Sequence, residues 1–130
     1  KLIGVEEQIA PPELLGAADA EVTLVGWGSS YLVIQDALPQ LAEHGIKVNH
    51  LPIKWLIPLH EDHIVKTLSQ SKKIIIVENN HSGQFARYLR GETGIKAYAH
   101  IRKYDGEPFA PHHITEGVIE LLNFFDQLLC

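Results

Sequence analysis

The 130-residue chain is 45% hydrophobic and 21% charged, a balance that supports one folded core and lies far from the polar, highly charged regime of disorder. A formal charge of -5 gives no broad attraction to phosphate backbones or anionic lipid, so nucleic acid and membrane are not expected partners. No apolar run is long enough to cross a bilayer and no charged-then-apolar leader opens the chain, which points to the cytoplasm.

Residues 1–20 read as a linker or arm from a preceding domain, because Ala10 to Ala20 mixes Pro11, Pro12, Gly16 and small residues and supports at most a short helical turn. The domain proper spans residues 21–130. Val22 to Gly26 is a β-prone run ending in the turn Gly26-Trp27-Gly28-Ser29-Ser30, and Ile34, Ala37, Leu38 and Leu41 follow at helical spacing. Gly45 sits where a left-handed residue ends a helix, and Pro39 inside the helix predicts a kink. An apolar run from Ile46 to Trp55 is broken at Pro58, and Ile64, Val65 and Leu68 indicate a short helix after His60 or Glu61.

Lys73 to Glu78 contains four consecutive aliphatic residues, Ile74 to Val77. That run lacks the alternation of a half-wet strand and predicts a central strand covered on both faces. Ser82 to Thr93 carries Phe85, Tyr88 and Leu89 on one helical stripe, ends at Gly94, and leads to a strand at Ala97 to Tyr104. In the last helix Pro111 takes the first turn, and Ile114, Val118, Leu121, Leu122, Phe125, Leu128 and Leu129 repeat with a helical period. Alternating strands and helices with continuous apolar strands imply an α/β fold with a mostly parallel sheet between helices.

Ligands of such sheets bind beyond the carboxyl ends of the strands, where helix N-termini offer free N–H groups. Two loops lie there. The first, Gly26 to Tyr31, begins like a dinucleotide fingerprint but has Tyr31 where the third glycine belongs and lacks the acidic residue further on. Ser29 and Ser30 suit either a phosphate or an ordinary helix cap. The second, Glu78 to Gln84, leads into a helix with Arg87 and Arg90; Asn80 or Ser82 can cap it, and Gly83 admits close backbone approach. An anion or protein contact and a plain capped turn both fit this loop. Glu78 is a carboxylate at a buried strand end, expected to reach solvent or pair with an arginine.

His60 with His63, and His112 with His113, do not have the spacing of a known ligand set. His112 and His113 sit in a first helical turn, where carboxylates suit the dipole better. The sole cysteine, Cys130, cannot build a disulfide or a thiolate cluster within the chain. No nucleophile, base and carboxylate set is visible. The opening Lys1 and the lack of methionine read as a segment of a longer polypeptide.

From Glu21 onward the order of motifs resembles the domain that follows the pyrimidine-binding domain in α subunits of 2-oxoacid:ferredoxin oxidoreductases. The segments that carry this are VTLVGWGSSYLVIQDAL (Val22 to Leu38), HLPIKWLIPL (His50 to Leu59), IIIVENNHSGQFARYLRGETGI (Ile74 to Ile95) and IRKYDGEPFAPHHI (Ile101 to Ile114). NNHSGQFARYLRGETG and KYDGEPF are the specific stretches, since fold class does not demand them. The chain departs from the family at His112 and His113, where an acidic pair usually stands, at Ala110, where a Ser or Thr cap usually stands, and at Pro39.

The resemblance implies a three-layer α/β/α fold like the transketolase C-terminal domain, with a mostly parallel five-stranded sheet and one antiparallel edge strand, to which Leu2 to Val5 can contribute. It implies a non-catalytic assembly domain of an enzyme that decarboxylates pyruvate, 2-oxoglutarate or a related 2-oxoacid to an acyl-CoA and reduces ferredoxin. Thiamine diphosphate, Mg and an iron–sulfur cluster are then expected in the whole complex and none in this domain. The expected partners are the preceding domain, the β subunit, ferredoxin and coenzyme A. Interface or anion-contact candidates are Trp27, Gly28, Ser29, Ser30, Asn80, Ser82, Gly83, Gln84 and Arg87. Two other readings stand beside this one: the matching domain of a transketolase or of a 2-oxoacid dehydrogenase β subunit, and a free-standing flavin- or nucleotide-phosphate-binding module.

Overall fold

In the computed structural model the described residues are 12–17, 19–28, 30–54, 59–78, 84–102 and 109–129, with backbone only for 124–129. In chain order they form β1 (Leu15–Gly16), β2 (Val22–Trp27), α1 (Ser30–Glu43), β3 (Val48–Ile53), α2 (Glu61–Leu68), β4 (Ile74–Glu78), α3 (Gln84–Thr93), β5 (Ala99–Arg102) and α4 (Pro111–Leu129). The sheet order is β1-β3-β2-β4-β5. Every pair is parallel except β1 with β3, which is antiparallel, so the expected fold class holds.

Helices cover both faces, which is why the central strands carry no polar alternation. On one face Leu24, Ile75 and Val77 pack with Ile34, Ala37 and Leu41 of α1 and Ile114 and Val118 of α4. On the other, Val25, Leu51 and Ile76 meet Ile64 and Leu68 of α2 and Phe85 and Leu89 of α3. Leu24, Val25, Ile34, Leu41, Leu51, Ile75, Ile114 and Val118 have no exposed surface at all. Each contributes about 1.5–3 kcal/mol of transfer free energy.

The edge strand lies in the segment expected to be a linker. Leu15 and Gly16 pair with His50 and Asn49, and the arm is tied down further by Asn49 Nδ2 donating to the Ala17 carbonyl at 2.8 Å and His63 Nε2 donating to that of Pro12 at 2.8 Å. Gly16 has φ +109°, and a Cβ there would lie 3.2 Å from Asn49 Cα; a conformation and a clearance that suit glycine are what sequence composition registered as linker character. The alternative strand at Leu2 to Val5 lies outside the described residues.

Helix α1 ends as its sequence predicts: Gly45 N–H binds the Ala42 carbonyl at 3.0 Å and Ile46 N–H that of Leu41 at 3.1 Å, the paired bonds of a Schellman cap. It runs unbroken through the exposed Pro39. On β3 the backbone groups of Lys47 face β2, since Lys47 accepts there from Glu21 and Val22. By alternation those of Val48, His50 and Pro52 face the outer edge, so the proline costs the β2 ladder no hydrogen bond.

Candidate functional site

The chain passes from β2 to β3 on one side and then to β4 on the other, so the strand order reverses between β2 and β4. The carboxyl edge at this reversal gathers Trp27, Gly28 and Ser30 at the start of α1, Lys54 after β3, Glu78 at the end of β4, and Arg102 at the end of β5. Both candidate loops were expected at this carboxyl edge. Ser29, Asn80, Ser82 and Gly83 lie outside the described residues; Gln84 and Arg87 are exposed in the first turns of α3.

At the α1 start, Ser30 is buried and its hydroxyl donates to the Trp27 carbonyl at 3.2 Å, while Tyr31 N–H binds the Gly28 carbonyl at 3.2 Å. Ser30 therefore closes the turn instead of capping the helix through its oxygen as an acceptor. Gly28 has φ +68°, the left-handed conformation that favours glycine. Gly26 is required for another reason: a Cβ there would lie 2.6 Å from both Ile34 Cδ1 and Ser30 Oγ.

At the α3 start the structure supplies a cap that sequence reading assigned elsewhere. Glu78, only 4% exposed, accepts from Phe85 N–H at 2.7 Å through Oε1 and from Ala86 N–H at 3.2 Å through Oε2. Arg102 Nε stands 4.0 Å from Oε2. The expected arginine pairing is thus present, but the carboxylate reaches the helix and not bulk water. A fixed anion of the protein's own already occupies the positive end of α3.

Between β2, β3 and α1 the edge encloses a hollow of about 270 Å³, lined by Gly26, Gly28, Tyr31, Pro52, Ile53 and Lys54. Lys54 Nζ sits 5.8 Å from the centre of the Tyr31 ring. Behind Tyr31, at 5.5 Å between ring centres, lies His50, which is fully buried. Its Nδ1 is 3.2 Å from Gln35 Oε1; an amide oxygen only accepts, so Nδ1 carries the proton, and among the described residues Nε2 has no partner. Burial lowers the His50 pKa from 6.5 to about 4, because the interior penalises the charged form.

A second cavity, of about 280 Å³, opens at the amino edge of the strands beside Thr23, Asn49, His63, Lys66 and Ser71. Its polar groups are partly engaged with each other: Thr23 Oγ1 donates to Ser71 Oγ at 2.9 Å. Sequence reading missed Asn49 and His50 as buried groups, since neither has a motif. Two polar residues in succession within an otherwise apolar strand were the available signal.

His60 holds the N-cap position of α2 in the left-handed conformation, φ 60° and ψ 53°, without a side-chain capping bond, and among the described residues its buried Nε2 has no hydrogen-bond partner. His113 Nδ1 accepts from Ala110 N–H at 2.9 Å, the reach-back bond that a Glu makes in a capping box. That explains a histidine in a first turn where a carboxylate was expected.

Among the described residues no three His, Cys, Asp or Glu side chains converge on a metal position, and no helix is long and apolar enough to cross a membrane. A magnesium-bound diphosphate needs oxygen donors around the ion, and a cubane cluster needs several thiolates. Among the described residues no such donor set converges.

The chain matches the family described as "Pyruvate:ferredoxin oxidoreductase core domain II" over residues 20–114. It is 35% identical over 109 residues to the alpha subunit of 2-oxoacid:ferredoxin oxidoreductase 1 from Aeropyrum pernix, covering 82% of this chain and 17% of that one. Among solved structures, 2-oxoglutarate:ferredoxin oxidoreductase from Magnetococcus marinus, with 2-oxoglutarate, coenzyme A and succinyl-CoA bound, superposes with a TM-score of 0.82 at 30% identity, over 92% of this chain and 21% of that one. Transketolase from Pichia stipitis superposes with a TM-score of 0.67 at 17% identity, over 89% of this chain and 18% of that one, a likeness of fold alone. The chain therefore spans only about a fifth of these relatives, and the family match over most of its length makes it a member of the pyruvate:ferredoxin oxidoreductase core domain II family.

Proposed function

We propose that this chain is a non-catalytic assembly domain of the α subunit of a thiamine-diphosphate-dependent 2-oxoacid:ferredoxin oxidoreductase. The observation that carries the reading is its sequence identity with an α subunit across most of its own length. The geometry supports it: two of the helix-start donors of α3, Phe85 and Ala86 N–H, are filled from within by Glu78, and the exposed Trp27 at the carboxyl edge is available to a neighbouring surface. In this reading the whole complex carries thiamine diphosphate, Mg and an iron–sulfur cluster on its other domains. It converts a 2-oxoacid and coenzyme A to an acyl-CoA in the cytoplasm and passes the electrons to ferredoxin. The domain itself holds the preceding domain and the β subunit in place through Trp27, Gly28, Ser30, Gln84 and Arg87, together with Ser29, Asn80, Ser82 and Gly83.

The test has two arms. The full-length α subunit, co-expressed with the β subunit, is expected to reduce ferredoxin in a reaction that needs both a 2-oxoacid and coenzyme A. The 130-residue chain alone is expected to show neither turnover nor calorimetric binding of flavin mononucleotide, NAD, coenzyme A or thiamine diphosphate. Turnover by the isolated chain, or micromolar binding of flavin to it, refutes the assembly role.

A further inference from the structure

We infer that the hollow beside Tyr31 is a docking pocket for an apolar side chain with a carboxylate next to it, supplied by another segment of the same enzyme. This rests on the assembly reading and specifies what fills one part of the interface. Among the described residues the most exposed large apolar ones are Leu32, at 70%, and Trp27, at 42%. They are the immediate sequence neighbours of Tyr31 and of Gly26 and Gly28, which line the hollow. Tryptophan in particular is a residue whose burial dominates protein interfaces.

The cavity is preformed. The Tyr31 wall is backed by the fully buried His50. A wall already held in place loses little entropy when a partner arrives. Charge then selects the partner. Lys54 is exposed and makes no salt bridge within the described residues; its ammonium lies near the Tyr31 ring at the mouth of an otherwise uncharged lining. A carboxylate from outside completes it.

A small metabolite fits less well. Ligand pockets enclose a ligand with several convergent polar groups, whereas here the Ser30 hydroxyl and the Tyr31 N–H are bound to backbone carbonyls of the same turn. Trp27 and Leu32 are exposed and are not among the residues that line the hollow, so they offer area to a polypeptide surface rather than to a ligand inside it.

The experiment uses the assembled complex of full-length subunits and a carbodiimide, which joins a lysine amine to a carboxylate in direct contact. The expected result is a link from Lys54 to an Asp or Glu outside this domain, found by peptide mapping and lost in Lys54→Arg, which still assembles. Trp27→Ala and Leu32→Asp are expected to weaken subunit assembly at least tenfold, while Val65→Asp, at an exposed apolar position on α2, leaves it unchanged. Three results overturn the pocket: complete acetylation of Lys54 in the intact complex, a Lys54 link to a second copy of this domain, or protection of Lys54 by free coenzyme A or flavin mononucleotide. If the complex forms undisturbed with Lys54 fully reactive, the pocket fails and the assembly role stands. If the full-length subunit never associates with its partners, both fail.

Discussion

Replacing Glu78 by alanine strips α3 of the acceptor for two of its first N–H groups. The carboxylate receives Phe85 N–H at 2.7 Å and Ala86 N–H at 3.2 Å, and Phe85 and Ala86 are only 5% and 6% exposed, so water has poor access to the freed donors. Each orphaned donor costs about 1–3 kcal/mol, and loss of a negative charge at the helix N-terminus adds about 0.3–1 kcal/mol. Removing a carboxylate that was expensive to bury returns part of this. The net expectation for Glu78→Ala is a destabilisation of about 3 kcal/mol. Glu78→Gln keeps one oxygen acceptor and is expected to cost about half as much. Urea denaturation of the chain at neutral pH measures both, and hydrogen exchange at Phe85 and Ala86 localises the effect to the first turn of α3. If Glu78→Ala moves stability by less than about 0.5 kcal/mol, the range of an ordinary surface change, the carboxylate is not the cap and the account of this helix start is wrong.

His50 predicts the acid sensitivity of the fold. Its folded pKa is about 4 against 6.5 unfolded, so between those values the unfolded chain binds more protons; its contribution is complete above pH 6.5, falls with acidification, and is gone near pH 4. A loss of about 3 kcal/mol across that window should appear in urea midpoints and flatten in His50→Phe; an equally steep profile in the variant contradicts the assignment. Gly26→Ala drives a methyl to 2.6 Å from the fully buried Ile34 and should lower stability by about 1–3 kcal/mol, read from thermal unfolding. His113→Ala, which removes the acceptor for Ala110 N–H, should cost about 1 kcal/mol, and His113→Gln should recover most of it because glutamine serves at this position of a capping box.

The sheet core was legible because it is written in a short-range pattern. Ile74 to Val77 announced a strand covered twice, and the structure gives Ile75 and Val77 to one helical layer and Ile76 to the other. The end of α1 was legible for the same local reason, since Gly45 defines its own cap. Element ends were less clear: β5 begins at Ala99, two residues after the predicted Ala97, because strand limits depend on where the neighbouring strand pairs, while Lys103 and Tyr104 lie outside the described residues. What stayed hidden depends on distance along the chain. Glu78 reaches Phe85 seven residues on, and Leu15 pairs with His50 across the arm; neither bond has a local signature. Topology puts Trp27 and Glu78, the strand ends from which the candidate loops start, at the carboxyl edge, but Ser30 turns its hydroxyl back toward the Trp27 carbonyl, a choice of rotamer that composition does not encode.

Pro52 has a consequence for how the domain survives outside an assembly. The outward face of β3 is paired by β1 at Asn49 and His50, and the next outward-facing backbone position is a residue with no N–H to give. A stray strand sliding along that side meets a missing rung two steps past His50, so sheet growth by addition is interrupted there. The same gap makes this border unsuited to recruiting a partner through strand pairing, which leaves recognition to side chains.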